Sequence, residues 1–140
     1  MTTRISAKGK VKKADTLFAK WVKRHGFCER CGRRAHPRNE LGKVEKTPDT
    51  VQLHVAHILG RRKRPFRWDE SNCMCLCFAC HKWQTENPIW FAQWLQDHDL
   101  EKYLRAIEIA AQAEAGRMPP SPDPADVIGT YEMKIKEMKT

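Results

Sequence analysis

The sequence predicts a small α+β domain, with a short strand and a cysteine-rich segment at its centre and helices on either side. Three observations indicate this fold class. Apolar residues recur at helical spacing before residue 26 and again after residue 87. Residues 51–58, VQLHVAHI, alternate and carry β-branched side chains, as a strand does. The 140 residues have room for one such domain with short appendages.

The N-terminal third predicts an arm, a helix and a loop. Residues 1–13 are basic without apolar periodicity, so we expect a flexible arm. A helix is expected from residue 14 to the glycine at residue 26, with one apolar stripe: Ala14, Leu17, Phe18, Trp21 and Val22. The polar segment 36–50 contains prolines and glycine, which predict an extended loop.

The second half of the chain predicts three helices and a tail. The first begins near Cys80, and the second begins at Pro88, because proline suits the first position of a helix. A third helix covers residues 99–115, and its predicted buried side consists of Leu100, Tyr103, Leu104, Ile107 and Ala111. The prolines that follow predict a linker at the start of 117–140, and the last dozen residues predict a weak helix or a tail, which leaves 14–116 as the folded domain.

The charge of the chain favours a polyanionic partner. The chain has 26 Lys and Arg residues against 17 Asp and Glu residues, which gives a net charge of +9 and predicts binding to nucleic acid. No apolar run approaches the ~18 residues that a membrane span needs. The basic N-terminus has no hydrophobic stretch behind it, so we expect a cytoplasmic protein without a membrane partner.

Two CxxC pairs predict a structural zinc site, because four thiolates can surround Zn²⁺ tetrahedrally. Cys28 and Cys31 form the first pair, and Cys77 and Cys80 form the second. The second pair begins 46 residues after the first one ends. In a reducing compartment cysteines bind metal more often than they form disulfides. The first CxxC pair follows one predicted helix, and the second lies at the start of another. This layout is treble-clef-like, and in such a fold zinc supplies much of the folding free energy. We assign Cys73 and Cys75 to core packing, with Cys75 as an alternative ligand.

The order of the remaining polar residues resembles the HNH endonuclease family. The pattern runs from the first CxxC through the strand histidine His57 and Asn72 to LCFACH, which ends in His81, and it covers residues 28–81. The resemblance implies a zinc-stapled ββα-metal core and metal-dependent hydrolysis of DNA phosphodiester bonds. In it His57 is the general base, a role that an imidazole suits near neutral pH. His81 binds the catalytic Mg²⁺ or Mn²⁺, and Asn72 braces the loop that orients the base.

One position departs from that pattern. Many members have Asp or His immediately before the base histidine as a second metal ligand, and this chain has Ala56. His54 and Asp69 are the candidates to replace that ligand, and water is the alternative. Five basic residues follow the strand where a phosphate backbone must pass, and we expect them to bind DNA: Arg61, Arg62, Lys63, Arg64 and Arg67.

The flanking sequences resemble one branch of the family more closely. The segments KADTLFAKWVKRHGFCERCG, LHVAHILGRR and FRWDESN are similar to phage-encoded NinG-type recombination endonucleases. That resemblance implies branched or junction DNA as the substrate, in the cytoplasm of a bacterial host. Many of that group have asparagine where this chain has His81.

Two other functions fit parts of the sequence. A non-catalytic zinc-stabilised DNA-binding module with a decayed metal site accounts for Ala56, and a protein-interaction adaptor accounts for the C-terminal helices. The sequence gives no preference for a DNA structure or DNA sequence, and it is consistent with a monomer or a homodimer.

Overall fold

The computed structural model describes residues 5–60 and 64–138 of the chain. These residues form α1 (Ala7–Val22), β1 (Leu53–His57), β2 (Cys73–Cys77), α2 (Phe78–Glu86), α3 (Pro88–His98), α4 (Leu100–Glu114) and α5 (Pro124–Met138). Two short 3-10 helices, Arg64–Phe66 and Glu70–Asn72, lie between the strands. The predicted α+β fold class is confirmed. Among the described residues, no helix has the length and apolar character that crossing a membrane requires.

The two strands form a small antiparallel sheet that leads directly into α2. Leu53 lies opposite Cys77 and His57 lies opposite Cys73. All five residues of β2 are buried. Cys77 ends the strand and caps α2, since its Sγ accepts a bond from the backbone N–H of Cys80 at 3.4 Å. The second cysteine pair, Cys77 and Cys80, therefore lies where β2 passes directly into α2 without a loop.

Helix α1 is longer than the sequence pattern predicts. It begins at Ala7 and not near residue 14, so residues 7–13 of the expected arm are helical. The Ser6 side chain accepts a bond from the backbone N–H of Gly9 at 3.0 Å, which satisfies one N–H of the first turn. The first two turns are rich in lysine, which favours helix but leaves no apolar stripe to detect.

The segment expected to be a linker and tail contains a docked helix. Helix α5 packs against α1 and buries Val127, Tyr131 and Ile135. The edge of the Tyr131 ring meets the Phe18 ring of α1, with the ring centroids 5.2 Å apart. The C-terminal residues up to 138 are thus part of the folded domain, joined to it by the proline-rich segment.

Helix α4 faces the core with a different side from the one predicted. Three of the residues expected to be buried are about half exposed: Leu100 (53%), Leu104 (55%) and Ile107 (51%). The buried side instead carries Ala106 and Ile109. It also carries Lys102, whose Nζ donates to the backbone carbonyl of Cys73 at 2.7 Å. The predicted face was wrong because this inward lysine is a polar anchor, which apolar periodicity assigns to solvent.

Replacing Ile135 with alanine should lower the free energy of unfolding by about 2–4 kcal/mol, because the change leaves a cavity at a buried position of α5. Met133 on the same helix is 63% exposed, so Met133→Ala is the matched control and should change stability by less than about 0.5 kcal/mol. Urea denaturation of the zinc-loaded proteins measures both. Equal small losses would contradict the packing of α5 on α1.

Candidate zinc site and histidine cleft

The four cysteines of the two CxxC pairs meet at one point. The cluster consists of Cys28, Cys31, Cys77 and Cys80, and its Sγ atoms lie within 4.8 Å of one another. The Sγ atoms of Cys31 and Cys77 are 3.8 Å apart. A tetrahedral zinc ion with Zn–S bonds of ~2.3 Å holds its sulfurs ~3.8 Å apart. The predicted cluster is present, and its geometry is compatible with a structural zinc ion.

Backbone hydrogen bonds hold the first cysteine pair against the sheet. Glu29, inside the first CxxC, donates its backbone N–H to the carbonyl of Cys75 at 2.8 Å, and its carboxylate accepts the N–H of Cys75. Within the pair, the N–H of Cys31 points at Sγ of Cys28 at 3.5 Å, as the N–H of Cys80 points at Sγ of Cys77 in the second pair. The knuckle is thus attached to β2 by these hydrogen bonds as well as by the cysteine cluster.

The thiols of the cluster differ in how readily they ionise. Burial opposes ionisation of Cys28, but hydrogen bonds from the backbone of Cys31, Cys77 and Arg30 outweigh it and lower the pKa of the Cys28 thiol to about 7. Burial raises the pKa of the Cys80 thiol to about 12, and burial also raises the pKa of Cys31. A coordinated divalent cation deprotonates a thiol outright. Cys28 therefore ionises readily, whereas Cys31 and Cys80 lose their protons when they bind a cation.

Cys73 and Cys75 lie outside the cluster. Both are buried in β2, and burial raises the pKa of the Cys75 thiol to about 12. The expectation that they pack in the core is confirmed.

An open cleft of about 750 Å³ lies between α1, β1 and α2. Three histidines line it: His54, His57 and His81. The first two come from β1, and the third lies in the first turn and a half of α2, directly after Cys80. The cysteine cluster therefore fixes the start of the helix that brings His81 to the strand histidines.

Two of these histidines are close enough to share a cation. The Nδ1 atoms of His54 and His81 are 3.3 Å apart. Two imidazole nitrogens bound at ~2.0–2.1 Å to one tetrahedral ion lie ~3.3 Å apart. Burial, and after it the electrostatic interaction with His54, lower the pKa of His81, which favours the neutral ring that a metal ligand requires. The spacing is that of a hydrogen bond between the two rings, and it equals the spacing of two ligands on one tetrahedral ion.

His57 is held in a defined orientation. Its Nε2 lies 2.9 Å from the backbone carbonyl oxygen of Arg67. Because a carbonyl only accepts, the proton of the neutral ring is on Nε2 and the lone pair is on Nδ1. The Gln84 side-chain amide donates to the backbone carbonyl of His57 at 3.1 Å. Both the ring and the backbone of His57 are thus oriented by neighbours.

Asn72 braces the segment that follows β1. Its side chain is fully buried, accepts the N–H of Leu59 at 3.0 Å, and donates to the carbonyls of Leu59 at 3.0 Å and Phe66 at 3.3 Å. These bonds tie together the two ends of the 59–66 segment. Asn72 does not line the cleft.

The other predicted site residues have different positions, and among them Arg67 lines the cleft. The Asp69 carboxylate accepts the N–H of Ser71 at 2.9 Å, forms an ion pair with Arg105, and does not line the cleft. Ala56 is fully buried in the core. Arg67 forms an ion pair with Asp15 of α1. The other basic residues expected to bind DNA lie outside the described part of the chain. These are Arg61, Arg62 and Lys63, and for Arg64 the side chain.

Three residues with roles at these sites were missed by sequence reasoning. Asp15 contacts Arg67 across 52 residues of sequence, and no local pattern reveals such a pair. Arg30 donates to Sγ of Cys80 at 3.5 Å and stacks its guanidinium on a tryptophan ring, again across the chain. Gln84 had a detectable signal, because it follows His81 by three residues and therefore shares its helix face.

Comparisons of the chain with models of protein families, with curated proteins and with solved structures gave no match. The assignment of a function therefore depends on the geometry of the two sites.

The purified protein should contain one zinc ion per chain, and Cys80→Ala should lose it, because three thiols and no replacement ligand remain. The matched control is Cys75→Ala, which removes a buried thiol outside the cluster and should keep the ion. Metal analysis after gel filtration measures the stoichiometry. Removal of zinc by a chelator should also unfold the wild-type protein, as seen by circular dichroism. Equal zinc content in both variants would contradict the assigned ligands.

Proposed function

We propose that the protein is a metal-dependent DNA endonuclease of the HNH type. The supporting observation is the convergence in one cleft of an oriented imidazole, His57, and a pair of imidazoles, His54 and His81, whose Nδ1 atoms are 3.3 Å apart. The four-cysteine cluster next to His81 supports the same proposal, because it gives the cleft a fixed frame.

Hydrolysis of a phosphodiester requires a water molecule to lose a proton as its oxygen attacks phosphorus. The Nδ1 lone pair of His57 accepts that proton, and the P–O3′ bond breaks as the new P–O bond forms. The bond from Nε2 to the Arg67 carbonyl stabilises the imidazolium that results, as it holds the other N–H. A divalent cation held by His54 and His81 would neutralise charge on the phosphate and on the departing O3′.

The ligand type of the cleft affects which cation suits it. Imidazole nitrogen binds Ni²⁺ and similar ions more strongly than Mg²⁺, which prefers oxygen ligands. Affinity rises from Mn²⁺ to Ni²⁺ along the first-row series. We therefore propose that Mn²⁺ or Ni²⁺ supports cleavage at lower concentration than Mg²⁺ does.

Charge supports DNA as the substrate. The chain carries a net charge of +9, and the segment braced by Asn72 contains four consecutive basic residues, 61–64. Gly60, just before them, lines the histidine cleft. The resemblance to NinG-type proteins makes branched DNA the first substrate to test.

A second candidate function is a zinc-stabilised DNA-binding module without catalysis. Ala56 favours it, because this buried methyl group offers no ligand where many HNH proteins have Asp or His. The pairing of His54 with His81 favours the nuclease, since His54 supplies a second nitrogen ligand for a cation although residue 56 supplies none.

Cleavage of a four-way junction, linear duplex and supercoiled plasmid by the zinc-loaded protein, with Mg²⁺, Mn²⁺, Ni²⁺ or EDTA, tests the proposal. His57→Ala should lower the cleavage rate by about 10²–10⁴-fold, because a general base contributes that much. The matched control is His25→Ala, since His25 is exposed and outside the cleft, and its rate should stay within about twofold of wild type. DNA binding without cleavage under every metal condition would instead support the non-catalytic module.

His54→Ala and Asp69→Asn together identify the second metal ligand. Loss of His54 should raise the metal concentration for half-maximal cleavage by about 10-fold or more. Asp69→Asn should leave that concentration unchanged, because Asp69 does not line the cleft. A metal titration of the cleavage rate distinguishes the two. An effect of Asp69→Asn alone would contradict the assignment of His54.

A further inference from the structure

The turn formed by Arg67 and Trp68 connects the candidate base to two distant helices. The backbone carbonyl of Arg67 accepts the bond from His57, and the next carbonyl, that of Trp68, accepts a bond from the Tyr131 hydroxyl of α5 at 2.9 Å. Asp15 of α1 accepts bonds from the side chains of both turn residues. The position of the carbonyl that orients His57 therefore depends on α1 and α5.

Asp15 is the anchor on α1. Its carboxylate accepts the Nε–H of Arg67 at 3.0 Å, a second guanidinium N–H, and the indole N–H of Trp68 at 2.8 Å. The side chains of the ion pair are only 26% and 27% exposed. Bidentate, charge-assisted bonds of this kind are among the strongest in proteins and fix both distance and angle. The Arg67 guanidinium is thus bound within the fold.

Tyr131 is the anchor on α5. Its side chain is 6% exposed, and its hydroxyl bond to the Trp68 carbonyl is buried. Burial raises the pKa of Tyr131, so the hydroxyl stays protonated and remains a donor. Without that hydroxyl, a buried carbonyl loses its partner, and the turn is free to shift towards another donor.

We propose that Asp15 and Tyr131 are positioning residues for His57, which act by fixing the Arg67 carbonyl that binds Nε2. This inference rests on the proposed role of His57 as the base. It assigns Arg67 to the same positioning network, in place of the phosphate contact expected from the sequence. It also makes α1 and α5, which lie outside the HNH pattern of residues 28–81, part of the frame of the active site.

The positioning role predicts a loss of turnover without a loss of substrate binding. A displacement of about 1 Å at a reacting group costs about 100-fold in rate. We expect kcat to fall about 10-fold or more in Asp15→Ala and about 3-fold in Tyr131→Phe. These losses correspond to displacements of His57 smaller than about 1 Å. KM should not rise, because the variants remove no expected phosphate contact, and because loss of the Asp15 charge from the wall of the cleft favours an anionic substrate. Asp15→Asn keeps an acceptor for Trp68 and should recover part of the lost kcat.

The matched control is Glu132→Gln. Glu132 follows Tyr131 on α5 and, within the described residues, forms a surface ion pair with Lys13 of α1 at 3.3 Å, so this variant should have wild-type kcat. Thermal melts and zinc content verify folding. Should Asp15→Ala fail to fold, Tyr131→Phe and Asp15→Asn carry the test, because each removes less than the whole contact.

The spectroscopic signature is the imidazole tautomer of His57, measured by ¹⁵N NMR on the zinc-loaded protein without DNA. We expect Nε2–H in the wild type and a mixture of tautomers in Asp15→Ala and Tyr131→Phe. This readout does not require nuclease activity. If the wild type cleaves no DNA, the proposed function fails, and the tautomer alone supports or overturns the inference.

Two results would overturn the inference. One is wild-type kcat and a wild-type His57 tautomer in both Asp15→Ala and Tyr131→Phe. The other concerns Arg67→Ala: a decrease of about 0.9 in the slope of log affinity against log salt would show that Arg67 contacts a phosphate. Positioning predicts an unchanged slope for Arg67→Ala and a lower kcat.

Discussion

Four thiols from two segments far apart in sequence meet at one point and hold the small sheet in place. Their contact joins residues 28–31 to residues 77–80, which places the first knuckle on the junction between β2 and α2. A two-stranded sheet alone is marginally stable in water, so the sheet needs this attachment and the helices around it. In the strand register Cys77 lies opposite Leu53, and the cluster therefore also fixes the start of β1.

The candidate site follows from that frame through short connections. Cys80 and His81 are consecutive, so a cation that fixes the thiol also fixes the helix turn of the histidine. Antiparallel pairing of β1 with β2 then sets His54 and His57 relative to α2. Asn72 closes the segment between the strands, and the Arg67–Trp68 turn, anchored on α1 and α5, orients His57. A site made from several segments gains its precision from such supporting contacts.

The sequence predicted those features whose cause is local. The CxxC pairs, the strand around His57, the helix start at Pro88 and the buried character of Cys73 and Cys75 all depend on spacing or composition within a few residues. A continuous apolar run such as CMCLC gives no periodicity, and β2 was therefore left unassigned. The early start of α1 depends on lysines that favour helix without an apolar stripe.

Features that depend on tertiary contacts were beyond the sequence. The inner face of α4 is set by Lys102, whose partner is a backbone carbonyl 29 residues away. The docking of α5 depends on the α1 surface around Phe18, more than a hundred residues earlier, although its own proline-rich approach suggested a free tail. Asp15 is one acidic residue in a basic helix, and only the fold reveals that it holds Arg67 and Trp68.

Crystals of the zinc-loaded protein grown with Mn²⁺ and a short DNA duplex, examined by anomalous diffraction, would show whether the zinc-held frame presents His54, His57 and His81 to a DNA phosphate. We expect zinc at the four cysteines, manganese between His54 and His81, and a phosphate beside that manganese and Nδ1 of His57. DNA bound to another face, with no manganese at the two histidines, would rule this arrangement out.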